Sequence, residues 1–433
     1  EIIEALRRGT VPPRSLDAFA VGVHRFEEAL DGELEQVRSG QGIFKAVRGD
    51  YGSGKTFFGR WLQERARQKG FAVSEIQISE TETPLHRLET VYRRLVERLS
   101  TSDVPSGALR SIIDSWFYTL EEDVLAEGTV APDDAQGLLE RTNVLLEQRL
   151  AEVSREAPSF AAALRGYRTA MAAGDRPKAD GLLAWVGGQP NVSASVKRDA
   201  GIKGEVDHFG ALSFLQGILT LLRDSGRPGL LVVLDEVETL QRVRSDAREK
   251  SLNALRALID ELSQGRFRGM YLLITGTPAF YDGSQGAQRL PPLAQRLSVT
   301  FPSDPKFDNP RAVQIRLPAF TLDSLVEVGL KIRNIYAEGS KAPERIRAKA
   351  DDAYVRLLVQ KLAGDLGGKT GVVPRIFLKK LVGEVLDVID QYPEFDPRRD
   401  YALTVHDSEL DDHERAARDG RDVDDIELPT PPP

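Results

Sequence analysis

The sequence predicts an α/β fold built on a parallel sheet, and three observations carry that prediction. Residues 43–48 (Ile43-Phe44-Lys45-Ala46-Val47-Arg48) form a short, largely apolar run that leads into a glycine loop and then a helical pattern. Residues 229–236 form a continuous apolar run ending in two adjacent acids, Asp235 and Glu236. Residues 270–275 are another such run, ending in Thr275 and followed by Gly276-Thr277-Pro278. Unbroken apolar runs of this length suit strands covered on both faces, as in a parallel sheet with helices either side.

Helices are expected first over 1–8 and, after the Pro12-Pro13 break, over 22–38. The loop that follows the 43–48 strand is Gly49-Asp50-Tyr51-Gly52-Ser53-Gly54-Lys55-Thr56, a complete G-x-x-x-x-G-K-[ST]. Behind it, Phe57, Phe58, Trp61, Leu62 and Ala66 recur at helical spacing over 57–69. Strand, loop and helix are the context this motif needs. Glycines let the backbone curl so that its N–H groups point inward at phosphate oxygens, and the new helix adds the positive end of its dipole. The loop and Phe57 therefore predict a nucleoside triphosphate site. Lys55 would reach the β- and γ-phosphates, and the Thr56 hydroxyl would hold a magnesium ion. Val21 and Gly22, at the head of the 22–38 helix, either contact the base or simply pack.

Residues 71–79 alternate apolar and polar side chains and read as the next strand. From 81 to 208 the pattern changes to long amphipathic segments (85–99, 108–126, 133–152 and 159–173), an all-helical insertion. Within it, Trp185 precedes Gly187-Gly188, which suggests a helix end capped against an aromatic anchor. Core packing and nucleic-acid stacking are both open to that indole. Helices are expected over 212–223 and 244–264, on either side of the Asp235 strand.

Acids at the carboxyl end of such a strand sit where ligands bind in open α/β sheets. Asp235 would hold magnesium, and Glu236 would orient and deprotonate the attacking water. The pair, as against a lone Asp, favours hydrolysis over mere binding. Thr275 or Thr277 would touch the γ-phosphate or the water if their strand neighbours the Asp235 strand. A last strand is expected over 313–317, then helices over 322–337, 343–366 and 374–389 forming a lid, then an acidic tail ending in prolines. The implied organisation is an ATPase core in two parts (1–80 and 207–317), the insertion (81–206), the lid (318–392) and the tail (393–433).

Composition narrows the class. The 29% of charged residues and the lack of any run near the ~20 apolar residues of a membrane helix argue against a membrane protein. No signal peptide is read at the N-terminus, although the chain opens on Glu1, so its true start is open. With no cysteine, disulfides and thiolate metal sites are excluded, which suits a cytoplasmic protein. A net charge of −8 means that any contact with nucleic acid must come from a local basic patch. Arg242, Arg244, Arg248 and Lys250, or Lys197, Arg198 and Lys203, are the candidates.

The order of phosphate loop, DE strand, threonine strand end and helical lid resembles an ASCE-type P-loop NTPase, and within that class AAA+, in its origin-recognition and replication-initiator branch. That resemblance implies a sensor arginine at Arg375, in Gly371-Val372-Val373-Pro374-Arg375, and an arginine acting across subunits at Arg296 or, second, Arg289. A closer resemblance, over about 11–391, is carried jointly by several stretches. They are the phosphate loop, Gly166-Tyr167-Arg168, Trp185-Val186-Gly187-Gly188, the 229–239 run, Gly276-Thr277-Pro278-Ala279-Phe280-Tyr281 and Gln295-Arg296-Leu297. These are similar to the ATP-binding proteins of BREX phage-defence systems, more to the D-type than to the longer C-type. The resemblance implies a cytoplasmic, oligomeric ATPase using ATP and Mg2+, acting on DNA with a co-encoded partner such as a helicase. The competing expectation is a nucleotide switch or scaffold that recruits proteins and never translocates. A kinase-like transferase is argued against by Glu236 and the lid arginine.

Overall fold

Five parallel strands, β1 (Ile43–Arg48), β2 (Ala72–Gln77), β3 (Leu230–Asp235), β4 (Met270–Gly276) and β5 (Gln314–Arg316), lie in the order β2-β3-β4-β1-β5. The computed structural model describes residues 1–131, 133–365, 374–410 and 414–415, apart from the side chains at 152 and 156. Every residue of β3 and β4 is buried, which is why these strands read as unbroken apolar runs. The fold is the α/β P-loop architecture expected from the sequence.

The pleat sends alternate residues into two cores. Leu231, Val233, Tyr271 and Leu273 pack on one face with Phe58, Trp61 and Leu62 from the Lys55–Gln68 helix and with Phe377 and Leu381 of the lid. Leu230, Val232, Leu234, Leu272 and Ile274 pack on the other with Leu95, Ile218 and Leu255. The second core runs without interruption into the helices between β2 and β3, through Trp116, Phe160 and Trp185. These helices include Leu109–Ala126, Ala135–Arg149, Pro158–Ala172 and Arg176–Val186, followed by His208–Asp224. Trp185 is buried edge-on against Phe214 and donates from Nε1 to Gly204 O at 3.1 Å, so it is a core anchor.

Several boundaries differ from the sequence reading; the segment expected over 133–152, for example, is two helices, Ala135–Arg149 and Ala151–Glu156. The helix expected from residue 22 starts at Glu27, after short 3-10 turns at Leu16–Ala18 and His24–Phe26. Gly22 is left-handed (φ +76°) and lies outside the helix. The single helix expected over 343–366 is two, Pro343–Lys349 and Asp352–Asp365. Asp351 Oδ1 accepts the Tyr354 N–H at 2.8 Å, a cap that starts the second helix afresh.

The lid continues through Leu322–Gly339, Pro374–Lys380, a π-helical turn at Leu381–Leu386 and Asp387–Gln391. The first helix, Ile2–Arg7, docks on it through a forked contact of Arg7 with Asp387 (2.6 and 2.8 Å). Gly371, Val372 and Val373 of the expected sensor motif lie outside the described residues, as does most of the acidic tail. Among the described residues, no helix is long and apolar enough to cross a membrane.

Candidate nucleotide site

The loop between β1 and the Lys55–Gln68 helix turns so tightly that a Cβ on Gly49 would lie 2.3 Å from Ser53 Oγ. Gly54 closes the turn in the left-handed region (φ +88°) as the N-cap of that helix. Ser53 Oγ, buried inside the loop, has no hydrogen-bond partner among the described residues. Glycines placed where no side chain fits, at a helix N-terminus, form the cradle a phosphate chain needs.

This cradle is one end of a cavity of about 420 Å3. Tyr51, Gly52, Gly54, Lys55, Thr56, Glu236 and Glu238 line its polar end. Val11, Phe19, Val21, Phe57, Phe320, Val328 and Phe377 line an apolar end between the N-terminal segment and the lid, with Phe19 and Phe57 edge to face at 5.3 Å. An apolar slot beside a phosphate cradle suits a flat base joined to a charged chain. Val21 lines it and Gly22 does not.

Strand register assembles the acidic end. Leu234 pairs with Ile274, which brings Asp235 level with Thr275. Asp235 accepts from Thr275 Oγ1 on one oxygen and from Thr56 Oγ1 (2.9 Å) on the other. Thr275 Oγ1 also accepts the Glu236 N–H at 3.2 Å. Neither threonine lines the cavity; Thr275 joins this site through its bonds to Asp235 and Glu236, while Thr277 is buried beyond the strand. A carboxylate and a hydroxyl side by side are hard oxygen donors of the kind magnesium takes, so Thr56 and Asp235 fit such an ion.

Glu236 is one of three non-glycine residues with positive φ among the described residues (φ 60°, ψ 45°). That twist lifts its carboxylate off the sheet line and onto Gln77, whose Nε2 donates to Oε2 at 2.8 Å. Burial raises the Glu236 carboxyl above the usual range, and adjacent Asp235 adds to the rise against the hydrogen bond from Gln77. A raised carboxyl suits a general base.

Lys55 is buried, donating to Gly49 O (2.9 Å) and Asp50 O (3.2 Å), with the Tyr51 ring 5.0 Å from its ammonium. Glu238, buried at 4% exposure, stands 3.8 Å from Lys55 Nζ, and desolvation pushes its carboxyl up to about 7. The sequence reading missed Glu238 and Gln77. The D-E-V-E spacing was visible, but nothing local says that its last acid turns inward. Arg242, expected at DNA, lines this cavity and donates to Tyr51 Oη at 3.1 Å.

Arg375 also lines the cavity, where its guanidinium donates to Glu409 O (2.6 Å) and to both carboxylate oxygens of Glu414. The two arginines expected to act across subunits are not brought to this cavity. Arg296 is held by Asp260 and by Pro292 O (2.6 Å), and exposed Arg289 donates to Ser245 Oγ at 2.9 Å.

A family model described as BREX system ATP-binding protein BrxC/D matches residues 1–405. Among solved structures, the chain is similar to the Aeropyrum pernix ORC2 protein in ADPNP–ADP complexes, at 13% identity and a TM-score of 0.34. That match covers 83% of this chain and 67% of the other. No curated protein matches the chain.

Proposed function

The chain belongs to the family of BREX system ATP-binding proteins, and from that premise we propose that it binds ATP with Mg2+ and hydrolyses it. The observation that carries the reading is the hydrogen-bonded meeting of Thr56, Asp235, Thr275 and Glu236, of which Thr56 and Glu236 line the phosphate end of the cavity. Lys55 takes the β- and γ-phosphates, and Thr56 and Asp235 hold the metal. The ion, when bound, neutralises charge on the transferring phosphoryl group. Glu236 turns a water toward that group and accepts its proton, while Thr275 fixes the backbone from which Glu236 projects. Phe19, Val21 and Phe57 take the base.

In this reading the protein is a D-type AAA+ member that works as an oligomer on DNA, with a helicase-like partner, in phage defence. Arg289, exposed and lightly held, is the better candidate for reaching a neighbouring subunit's phosphate. Arg244, Lys250, Arg198 and Lys203, all exposed, are the basic residues left for DNA. A second reading, a switch that recruits proteins, is favoured by one pair of contacts: Gln77 holds Glu236, and Glu409 with Glu414 holds Arg375. Two groups needed for turnover are thereby engaged within the chain.

Turnover of ATP with and without double- and single-stranded DNA, with particle mass followed in parallel and Glu236→Gln as control, separates the two. Strong stimulation with assembly supports the motor; slow turnover indifferent to DNA supports the switch. If Glu236→Gln turned over at the wild-type rate, the assignment of the base would fail.

A further inference from the structure

Lys55 carries the positive charge at the floor of the phosphate cradle and donates to two carbonyls there. Gly49 O and Asp50 O are neutral; Glu238 is the acid beside them. Glu238 sits on the Val237–Gln241 turn that begins after Glu236, so its place is fixed by the strand end itself. Neither of its carboxylate oxygens accepts a hydrogen bond from another of the described residues, and both are buried while the side chain lines the cavity. An acid kept only to brace the turn would be paired and hydrogen-bonded, because a buried, unsatisfied carboxylate is costly.

We propose that Glu238 is the counter-ion of Lys55, and that by competing with nucleotide phosphates for this ammonium it sets how tightly, and for how long, nucleotide is held. The inference rests on the reading of Lys55 as the phosphate-binding lysine. When Lys55 turns toward phosphate, its contact with Glu238 weakens, and the carboxylate is left facing a polyanion in a dry pocket. Both effects oppose binding. Glu238 is therefore a positioning residue that acts through Lys55 and speeds nucleotide exit.

The test measures ADP affinity by calorimetry, and ADP release by displacement of a fluorescent ADP analogue, at pH 8. It compares the wild type with Glu238→Gln, Glu238→Met, Glu238→Asp and Lys55→Ala. Removing the charge at constant shape is expected to tighten ADP binding about five- to tenfold and to slow release by a similar factor. Glu238→Met should do the same without an amide, which keeps the test open if one variant folds poorly. Glu238→Asp, which keeps the charge, should stay near wild type. A purely structural role would shift the melting temperature and leave affinity and release alone. Unchanged or weaker ADP binding by a cooperatively melting Glu238→Gln or Glu238→Met protein would overturn the proposal. Failure of the underlying reading looks different: wild type would not bind ADP, or Lys55→Ala would bind it equally well.

Discussion

Lys45, in the middle of β1, and Lys55, at the head of the helix that follows, are each buried beside a glutamate. Lys45 pairs with Glu33 at 2.5 Å and donates to Pro310 O and Ala312 O at 3.0 and 2.8 Å, while Glu33 also accepts from Tyr271 Oη at 2.5 Å. Lys55 has two carbonyl partners as well, yet its acid stands 3.8 Å away with no hydrogen bond from another described residue. The first network is closed on itself and ties β1, β4 and the loop before β5 together. The second faces a cavity, where an incoming anion can take over the lysine. A buried charge pair is thus architectural when every partner is supplied by the chain, and functional when one place is left for a ligand.

The largest expected effect comes from breaking the closed network. Lys45→Met leaves Glu33 buried without its cation and is expected to cost about 3–5 kcal/mol of stability, read from denaturant unfolding. Nucleotide affinity per folded molecule should not change. Lys55→Ala is the mirror case, expected to lose about 3 kcal/mol of nucleotide binding, roughly a hundredfold in Kd, with the unliganded fold retained. If Lys55→Ala unfolded and Lys45→Met did not, the comparison would be reversed.

Acidity sharpens the contrast next. Glu238 has a folded-state carboxyl near 7 against an ordinary value of 4.5, so between those values the folded protein holds more protons than the unfolded chain. Stability must then fall as pH rises through that window. The cost is absent below 4.5 and complete above 7, where it amounts to about 3 kcal/mol. Glu238→Gln should remove this part of the pH dependence, so denaturation midpoints of mutant and wild type should converge near pH 4.5 and separate at pH 8. The smallest effect is expected at the lid. Glu414→Ala frees Arg375 from one partner and should tighten ATP binding about twofold, ~0.4 kcal/mol, detectable by calorimetry.

The loop and the acidic strand end were legible in the sequence because each is a contiguous run whose neighbours dictate its shape. Sheet order and register then place Asp235 beside Thr275 through backbone pairing alone. The contacts that engage Glu236 and Arg375 within the chain are long-range. Gln77 meets Glu236 across 159 residues and Arg375 meets Glu414 across 39, and neither pairing leaves a local pattern. The break between Pro343–Lys349 and Asp352–Asp365 did leave one, in Asp351, an N-cap residue within an otherwise helical stretch. The π-helical turn at Leu381–Leu386 left none, since its apolar spacing is compatible with an ordinary helix.

The left-handed backbone at Glu236 has a consequence on an evolutionary timescale. A glutamate held there is under strain of order 1 kcal/mol or more that glycine, and in part asparagine, would relieve. On the proposed mechanism, heat resistance and ATP turnover therefore pull this one codon in opposite directions. A laboratory population selected only for survival at high temperature should arrive at glycine here, gaining stability while removing the proposed base.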